Sequence, residues 1–264
     1  MRSGDADRRW ADLLSRWAIP DDLVAGAPKS PYFFSPGVFI DAADDALARQ
    51  QDAPSDHVAR EALAPGGAIL DVGVGAGAAS LRLDPGEVIG VDQSQEMLDA
   101  FVARAHARGV KATPVRGSWP DVASGVPPVD VVVCHHVVYN VAGLAEFASS
   151  LNSHARRRVV LELMEEHPMR WMAPYWRALH GIEQPDRPTI DDAVAVLTEL
   201  GLQPSEQRWT RAVQMIGENE PDAIDRIARR LCLPSDRHAE LAELLARVPP
   251  LGERRVVTLW WHPG

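Results

Sequence analysis

The stretch Ile69-Leu70-Asp71-Val72-Gly73-Val74-Gly75-Ala76-Gly77-Ala78 decides how this chain is read. Ala68 to Val72 is a short apolar run after Pro65-Gly66-Gly67, which predicts a buried strand. The glycines that follow let the backbone turn tightly and approach a ligand closely. A short helix is expected next, with its first free N–H groups offered to that ligand. Val88 to Val91 predicts a second strand, and Asp92 closes it. A carboxylate at that position can accept two hydrogen bonds from ribose hydroxyls.

Outward from this stretch the pattern alternates. Ser94 to Arg108 reads as a helix with Met97, Leu98, Phe101 and Val102 on one face, and Lys111 to Arg116 as a strand. Asp130 to Cys134 is a β-branched strand, Gly143 to Ala155 a helix, and Arg158 to Met164 a further strand. Near-continuous apolar strands between helices imply a parallel sheet covered on both faces, a doubly wound α/β core. Gln207 to Met215 and Arg254 to Trp261 add strands, so the expected fold is a mostly parallel seven-stranded sheet. Helices are expected over Asp5 to Ala18, about Phe39 to Arg49, Ser55 to Leu63, Thr189 to Leu200, Pro221 to Leu231 and Ser235 to Val248. Thr189 with Asp192 forms an N-cap box, and Gly201 suits a helix C-terminus. Glu165 to Pro188 reads as a long connection with little regular structure. The domain reading is an N-terminal helical cap over 1–64 and a core over 65–264. Within that core, 165–188 and 216–250 are accessory segments forming a lid over the substrate.

Composition narrows the function. The 264 residues carry a net charge of −10. That disfavours a nucleic-acid partner, because phosphate contacts need a basic face. The Arg156-Arg157-Arg158 run reads as a solvated turn entering a strand. Two distant cysteines, Cys134 and Cys232, make neither a disulfide framework nor a metal cluster. No apolar run reaches the roughly 18 residues that span a membrane, and the charged N-terminus has no signal-peptide core. A cytoplasmic location is expected. The Trp10, Leu13, Leu14 and Trp17 face of the first helix either packs on the core, the preferred reading, or serves a homodimer interface.

Gly73, Gly75 and Ala78 also fit the glycine pattern of a dinucleotide site. Asp71 tips the choice, since a carboxylate so close to the turn would repel a pyrophosphate. It suits instead a ligand bearing an ammonium and a sulfonium. Asp71-x-Gly73-x-Gly75-x-Gly77 resembles the first motif of class I S-adenosylmethionine (SAM)-dependent methyltransferases. The likeness continues through Val88 to Asp92 with Ser94 to Met97, then Arg116 to Pro120, then Val129 to His136. It implies SAM as cofactor and S-adenosylhomocysteine as product. The residues implied to hold the cofactor are Asp71, Gly73, Gly75, Gly77, Asp92, Gln93, Met97, Gly117, Ser118, Trp119 and Cys134. Ser118 departs from the family, many of whose members carry an acid there for the adenine amino group. Trp119 offers a stacking surface for the ring, or else is a core residue.

Methyl transfer needs an acceptor placed in line with the methyl carbon, and a hydroxyl acceptor gains from a general base. His135 and His136 lie at the carboxyl end of a central strand, where ligands sit in open α/β sheets, and are the candidate catalytic residues. Alternation along a strand allows only one of them to face the acceptor, with His135 slightly preferred. Tyr139 and Asn140 could bond the substrate. Tyr32, Phe33, Phe34, His167, Trp171 and Trp176 would roof an apolar or planar acceptor. Glu165 or His167 is an alternative base. Glu165, Glu166 and His167 are contiguous, a spacing that does not favour a metal, and none is expected. The expected function is methylation of oxygen or nitrogen on a small molecule. RNA or protein methylation, a non-catalytic SAM-binding regulator and an NAD-dependent oxidoreductase are the alternatives.

Overall fold

The computed structural model describes residues 4–32, 36–49, 51–212, 221–248 and 252–264. Among these, seven strands form one sheet: β1 (Ala68–Val72), β2 (Glu87–Asp92), β3 (Lys111–Arg116), β4 (Val129–His135), β5 (Ala155–Met164), β6 (Ser205–Ala212) and β7 (Glu253–Trp261). Their order is β3-β2-β1-β4-β5-β7-β6. The first five are parallel, and β7 runs antiparallel to both β5 and β6. The order reverses between β1 and β4, so the loops after these two strands part and leave a crevice at the carboxyl edge. Pro114 sits in β3, at one edge, where its missing N–H costs no ladder bond.

Ten helices flank the sheet among the described residues: α1 (Asp5–Ser15), α2 (Asp21–Gly26), α3 (Pro36–Ala48), α4 (Pro54–Ala62), α5 (Gln95–Ala107), α6 (Leu144–His154), α7 (Ala173–His180), α8 (Ile190–Glu199), α9 (Pro221–Arg230) and α10 (His238–Arg247). Strand alternation sorts the core into two faces. Leu70, Val72, Val132, Cys134, Leu161 and Leu259 face α1, α6 and α8. Ile69, Val88, Val131, Val133 and Val160 face α4 and α5. A separate cluster joins α7, α9 and α10 around Trp176, Leu231 and Leu241, with Ile19 and Leu23 packed against it.

The apolar stripe of α1 packs inward. Trp10 is fully buried, and its indole N–H donates to the Val141 carbonyl at 2.7 Å. Two carboxylates tie this helix down by meeting free N–H groups at helix starts. Glu199 accepts from the N–H groups of Asp5 and Ala6 at 2.9 and 3.0 Å, and Asp7 accepts from Ala145 at the start of α6 at 2.9 Å. The Thr189/Asp192 box is present at α8, where Asp192 accepts from the Thr189 N–H at 3.0 Å.

Three expectations change. After the glycine turn there is only a three-residue 3-10 turn, Leu81–Leu83, in place of a helix. Asp84 then adopts a left-handed conformation before Pro85, and a proline disfavours helical backbone in the residue before it. The 165–188 stretch contains α7 and the 3-10 turn Arg170–Met172. Its apolar residues at helical spacing, Met172, Tyr175, Trp176 and Leu179, bury one face. The third helix begins at Pro36, earlier than its prolines suggested, because proline is well placed in a helix's first turn. Residues 213–215 of the expected sixth strand lie outside the described residues.

Candidate active site at the carboxyl edge of the sheet

The glycine turn leaves β1 with Gly73, Gly75 and Gly77 all at positive φ, 77°, 50° and 89°. A Cβ on Gly73 would sit 2.3 Å from Val137 Cγ2, and one on Gly77 would sit 2.6 Å from Leu81 Cδ1. Those two glycines are needed for packing. Gly75 differs, since a Cβ there meets nothing within 4 Å. Its backbone therefore borders open space that a ligand can approach closely.

Asp92 at the end of β2 is held on both sides. Oδ2 accepts from the Gly75 N–H at 3.0 Å, and Oδ1 accepts from the Ser94 N–H at 2.9 Å. Each oxygen keeps a lone pair for another donor. Ser94 caps α5, accepting from the Met97 N–H at 3.4 Å, which sets Met97 beside this site with its side chain buried. Gln93 is exposed between them. Gly117 stands at φ 156° and its N–H donates to the Asp92 carbonyl at 3.0 Å, which brings the end of β3 beside the end of β2. Ser118 follows, half-buried. Trp119 is buried in the core, edge-on to His154 at 4.8 Å, with its indole N–H lacking a partner among the described residues. Cys134 is fully buried beside β1.

Asp71 is 1% exposed, and its Oδ2 has no hydrogen-bond partner among the described residues. Burial pushes its carboxyl up to about 7, Ser80 opposing this and the Asp92 charge adding to it. It lies beneath the turn as a polar group in an apolar floor.

The end of β4 is built from side chains. His135 pairs with Glu162 across the β4–β5 ladder. Burial pulls the His135 ring down to about 4, against the pull of Glu162, and its Nε2 has no partner among the described residues. His136 takes a left-handed φ of 60°, leaving strand geometry. Its N–H donates to the Glu162 carbonyl at 2.7 Å, and its ring Nε2 lies 3.0 Å from Glu162 Oε1. The His136 imidazole therefore addresses the carboxylate of the residue that pairs with His135 across the ladder, where alternation along the strand would have sent His136 to the opposite side. Glu162 is 4% exposed and also accepts from the Ser55 hydroxyl and from Arg211 Nη1, the latter at 3.4 Å. Burial raises its carboxyl, but the charge of His135, the hydrogen bond and charge of His136 and the Ser55 hydroxyl outweigh that and hold it well below the usual carboxylate range.

Glu162, Ser55 and Arg211 were not among the residues singled out from sequence. A usable signal existed for one of them: Glu162 is a lone carboxylate inside Val159-Val160-Leu161-Glu162-Leu163-Met164. An acid there must be paired or functional.

The expected substrate residues are dispersed. Tyr139 is buried, and its hydroxyl donates to the Met164 carbonyl at 3.0 Å, so that proton is engaged. Asn140 is exposed. His167 stacks on Trp17 at 3.8 Å, its Nδ1 accepts from the Met169 N–H at 3.2 Å, and burial lowers its ring to about 4. Trp171 lies under the Arg254 guanidinium at 5.5 Å, while Trp176 belongs to the separate helical cluster. Tyr32 is exposed, and Phe33 and Phe34 lie outside the described residues. A cavity of about 690 Å³ opens beyond the end of β5. Glu165, His167 and Arg170 line it from one side, and Thr210, Arg254 and Arg255 from the other.

Residues 69–157 match the family model described as "Methyltransferase domain". No curated protein matches the chain significantly in sequence. Among solved structures, the YcgJ protein of Bacillus subtilis is similar at a TM-score of 0.54 and 16% identity, over 79% of this chain and 97% of that one. A SAM-dependent methyltransferase from Geobacter sulfurreducens, solved with S-adenosyl-L-homocysteine, gives 0.51 and 16% over 87% and 98%. One from Aquifex aeolicus gives 0.51 and 14% over 88% and 100%. Residues 69–157, which hold the glycine turn and Asp92, thus match a methyltransferase domain, and the seven-stranded sheet shares its fold with these solved structures.

Proposed function

We propose that this enzyme transfers the methyl group of SAM to an oxygen or nitrogen of a small-molecule acceptor, releasing S-adenosylhomocysteine. One observation carries the reading: Asp92 is fixed by Gly75 and Ser94 with lone pairs to spare, beside a turn whose Gly75 borders open space. This donor set fits a nucleoside. Asp92 would take the ribose hydroxyls, Gly73 to Gly77 the methionine portion with Asp71 beneath, and Gln93, Met97, Gly117 and Ser118 the adenine side. Trp119 and Cys134 would act from the core, by shaping that pocket's wall. When bound, SAM supplies a methyl group already activated by its sulfonium.

A small acceptor is favoured by the net charge of −10 and by the 690 Å³ cavity at the same edge of the sheet. That volume lies within the roughly 300–1,000 Å³ typical of small-molecule sites. His167 and Trp171 would contact the acceptor, as would Tyr32 and Asn140 from neighbouring loops. The lid role assigned to 165–188 and 216–250 fits the cluster that joins α7, α9 and α10 into one body. Two free, buried cysteines suit a reducing compartment such as the cytoplasm. Among the described residues no helix is long and apolar enough to cross a membrane.

Calorimetric titration with S-adenosylhomocysteine, with NAD in parallel, tests the cofactor. Micromolar binding of the former supports the reading, and binding of NAD or of neither refutes it. An acceptor screen follows, and cofactor binding with no turnover on any acceptor would point to a regulator.

A further inference from the structure

The cavity beyond β5 is edged by the turn His167-Pro168-Met169-Arg170, closed by the Arg170 N–H donating to the His167 carbonyl at 2.8 Å. Its middle residues suit a tight turn: proline presets its own φ, and Met169 stands at φ −89° and ψ 0°. The two ends of the turn, His167 and Arg170, both line the cavity.

His167 is locked as a hydrogen-bond donor. The Met169 N–H donates to its Nδ1 at 3.2 Å, so the neutral ring carries its proton on Nε2. Trp17 stacks on the ring at 3.8 Å, and the Tyr139 ring crosses it at 75°, which fixes its plane. Burial lowers the ring to about 4, so it is too weak a base to serve near neutrality. Nε2 donates to nothing among the described residues, and unlike the ring nitrogens of His136 it is not shut in.

Arg170 is a second donor with capacity to spare. Its Nη1 donates to the Gln184 carbonyl at 3.4 Å, and its guanidinium makes no ion pair among the described residues. Glu183, which feels its charge, is held by Arg177 at 2.5 Å. The carboxylates lining the cavity are engaged elsewhere or solvated. Glu165 lies between Arg208 at 2.5 Å and Arg255 at 3.3 Å. Glu166 and Glu253 are exposed, where water and salt screen them, and the Glu166 charge acts on the half-buried Arg254.

We propose that His167 and Arg170 form an anion grip, and that the methyl acceptor is a small molecule held there by a carboxylate. The planar guanidinium fork matches the two oxygens of a carboxylate, and the Nε2–H adds a neutral donor beside it. The grip follows β5, which lies two strands from β1 and so about 10 Å across the sheet from it. The carboxylate is therefore a handle, and another atom of the acceptor meets the methyl group. The proposal rests on the methyltransferase reading for the word acceptor, but the grip itself does not depend on it.

The full chain is titrated with acetate, succinate and benzoate, each beside its amide, while NMR follows the His167 ring. At least one carboxylate should bind in the millimolar range and shift the Nε2–H signal, and its amide should not. Arg170→Gln should weaken that carboxylate by about tenfold or more. His167→Phe, which keeps the stack on Trp17 and loses the donor, should weaken it by about threefold. Equal binding of acid and amide, binding of no carboxylate, or a preference for inorganic phosphate overturns the proposal. So does an Arg170→Gln variant that binds as the wild type does. Should that variant fail to fold, the wild type decides, because a bound carboxylate that leaves the His167 ring unmoved also overturns it. S-adenosylhomocysteine titrated into the same samples separates the two ideas. A chain that fails to bind it refutes the methyltransferase reading, and an unresponsive His167 refutes only the grip.

Discussion

The two sides of the crevice are made of different material. At the ends of β1 and β2 the site is backbone: three glycines at positive φ, and one carboxylate clasped by two main-chain N–H groups. At the ends of β4 and β5 it is side chain: two imidazoles, a hydroxyl and a guanidinium around Glu162. A backbone site tolerates little change in residue type but depends on few distant partners. The side-chain site draws Ser55, His136, Glu162 and Arg211 from four separate parts of the chain. On the proposed reading, the difference separates a cofactor grip made of backbone from an acceptor side made of side chains.

Substitution at the glycine turn should have the largest effect. Gly73→Ala places a Cβ 2.3 Å from Val137 at φ 77°, so affinity for S-adenosylhomocysteine should fall 100-fold or more, roughly 3 kcal/mol, by calorimetry. Binding within threefold of wild type would break the claim that this end is set by backbone shape.

The two ends should also tilt stability in opposite directions with pH. His135, at about 4 when folded against an ordinary 6.5, stays neutral while the unfolded chain takes up a proton. Stability should therefore drop as pH falls from about 6.5 to 4, by about 3 kcal/mol for this ring. Denaturant titrations at several pH values should show His135→Gln removing part of that slope, and an unaltered slope would deny that the ring is buried neutral. Asp71 has the reverse sign. Its carboxyl is raised to about 7, so the folded chain keeps a proton that the unfolded chain has lost, and stability declines as pH rises from about 4 to 7. Asp71→Asn should gain about 1–2 kcal/mol at pH 8 while weakening cofactor binding. A variant less stable at that pH would show that the charge is better solvated than its burial implies.

The smallest expected effect lies between the two ends. Tyr139→Phe removes a hydroxyl bound to the Met164 carbonyl and should cost about 1 kcal/mol with cofactor affinity intact. A selective loss of turnover instead would return Tyr139 to the acceptor site.

Much of the cofactor end was legible from the sequence. Asp71 with its three glycines occupies a few consecutive residues, and Asp92 follows at the end of the next apolar run, so local pattern and turn chemistry suffice. The doubly wound, mostly parallel sheet could be anticipated for a similar reason, as β-branched runs between helices admit few topologies. The missing helix after the turn was legible in principle, in Asp84-Pro85-Gly86, but the motif drew the expectation of a helix over it. The acceptor end was not legible. His135 and His136 stood out as a pair, yet Glu162 was hidden inside an apolar strand, and the left-handed turn that brings the His136 ring to it has no local sequence mark. Tyr139 and Trp176 looked like substrate groups because aromatic residues near a strand end look alike whether they line a pocket or fill a core.

By itself, then, the sequence determined a doubly wound sheet with a glycine turn and a strand-end acid side by side at its carboxyl edge, because periodicity, glycine placement and strand-end acids act over a few neighbouring residues. Tertiary structure alone decided that Ser55, His136, Glu162 and Arg211 meet, and that the apolar face of α1 is spent on the core. Burial and charge pairing depend on which distant segments pack together, and no short stretch of sequence carries that.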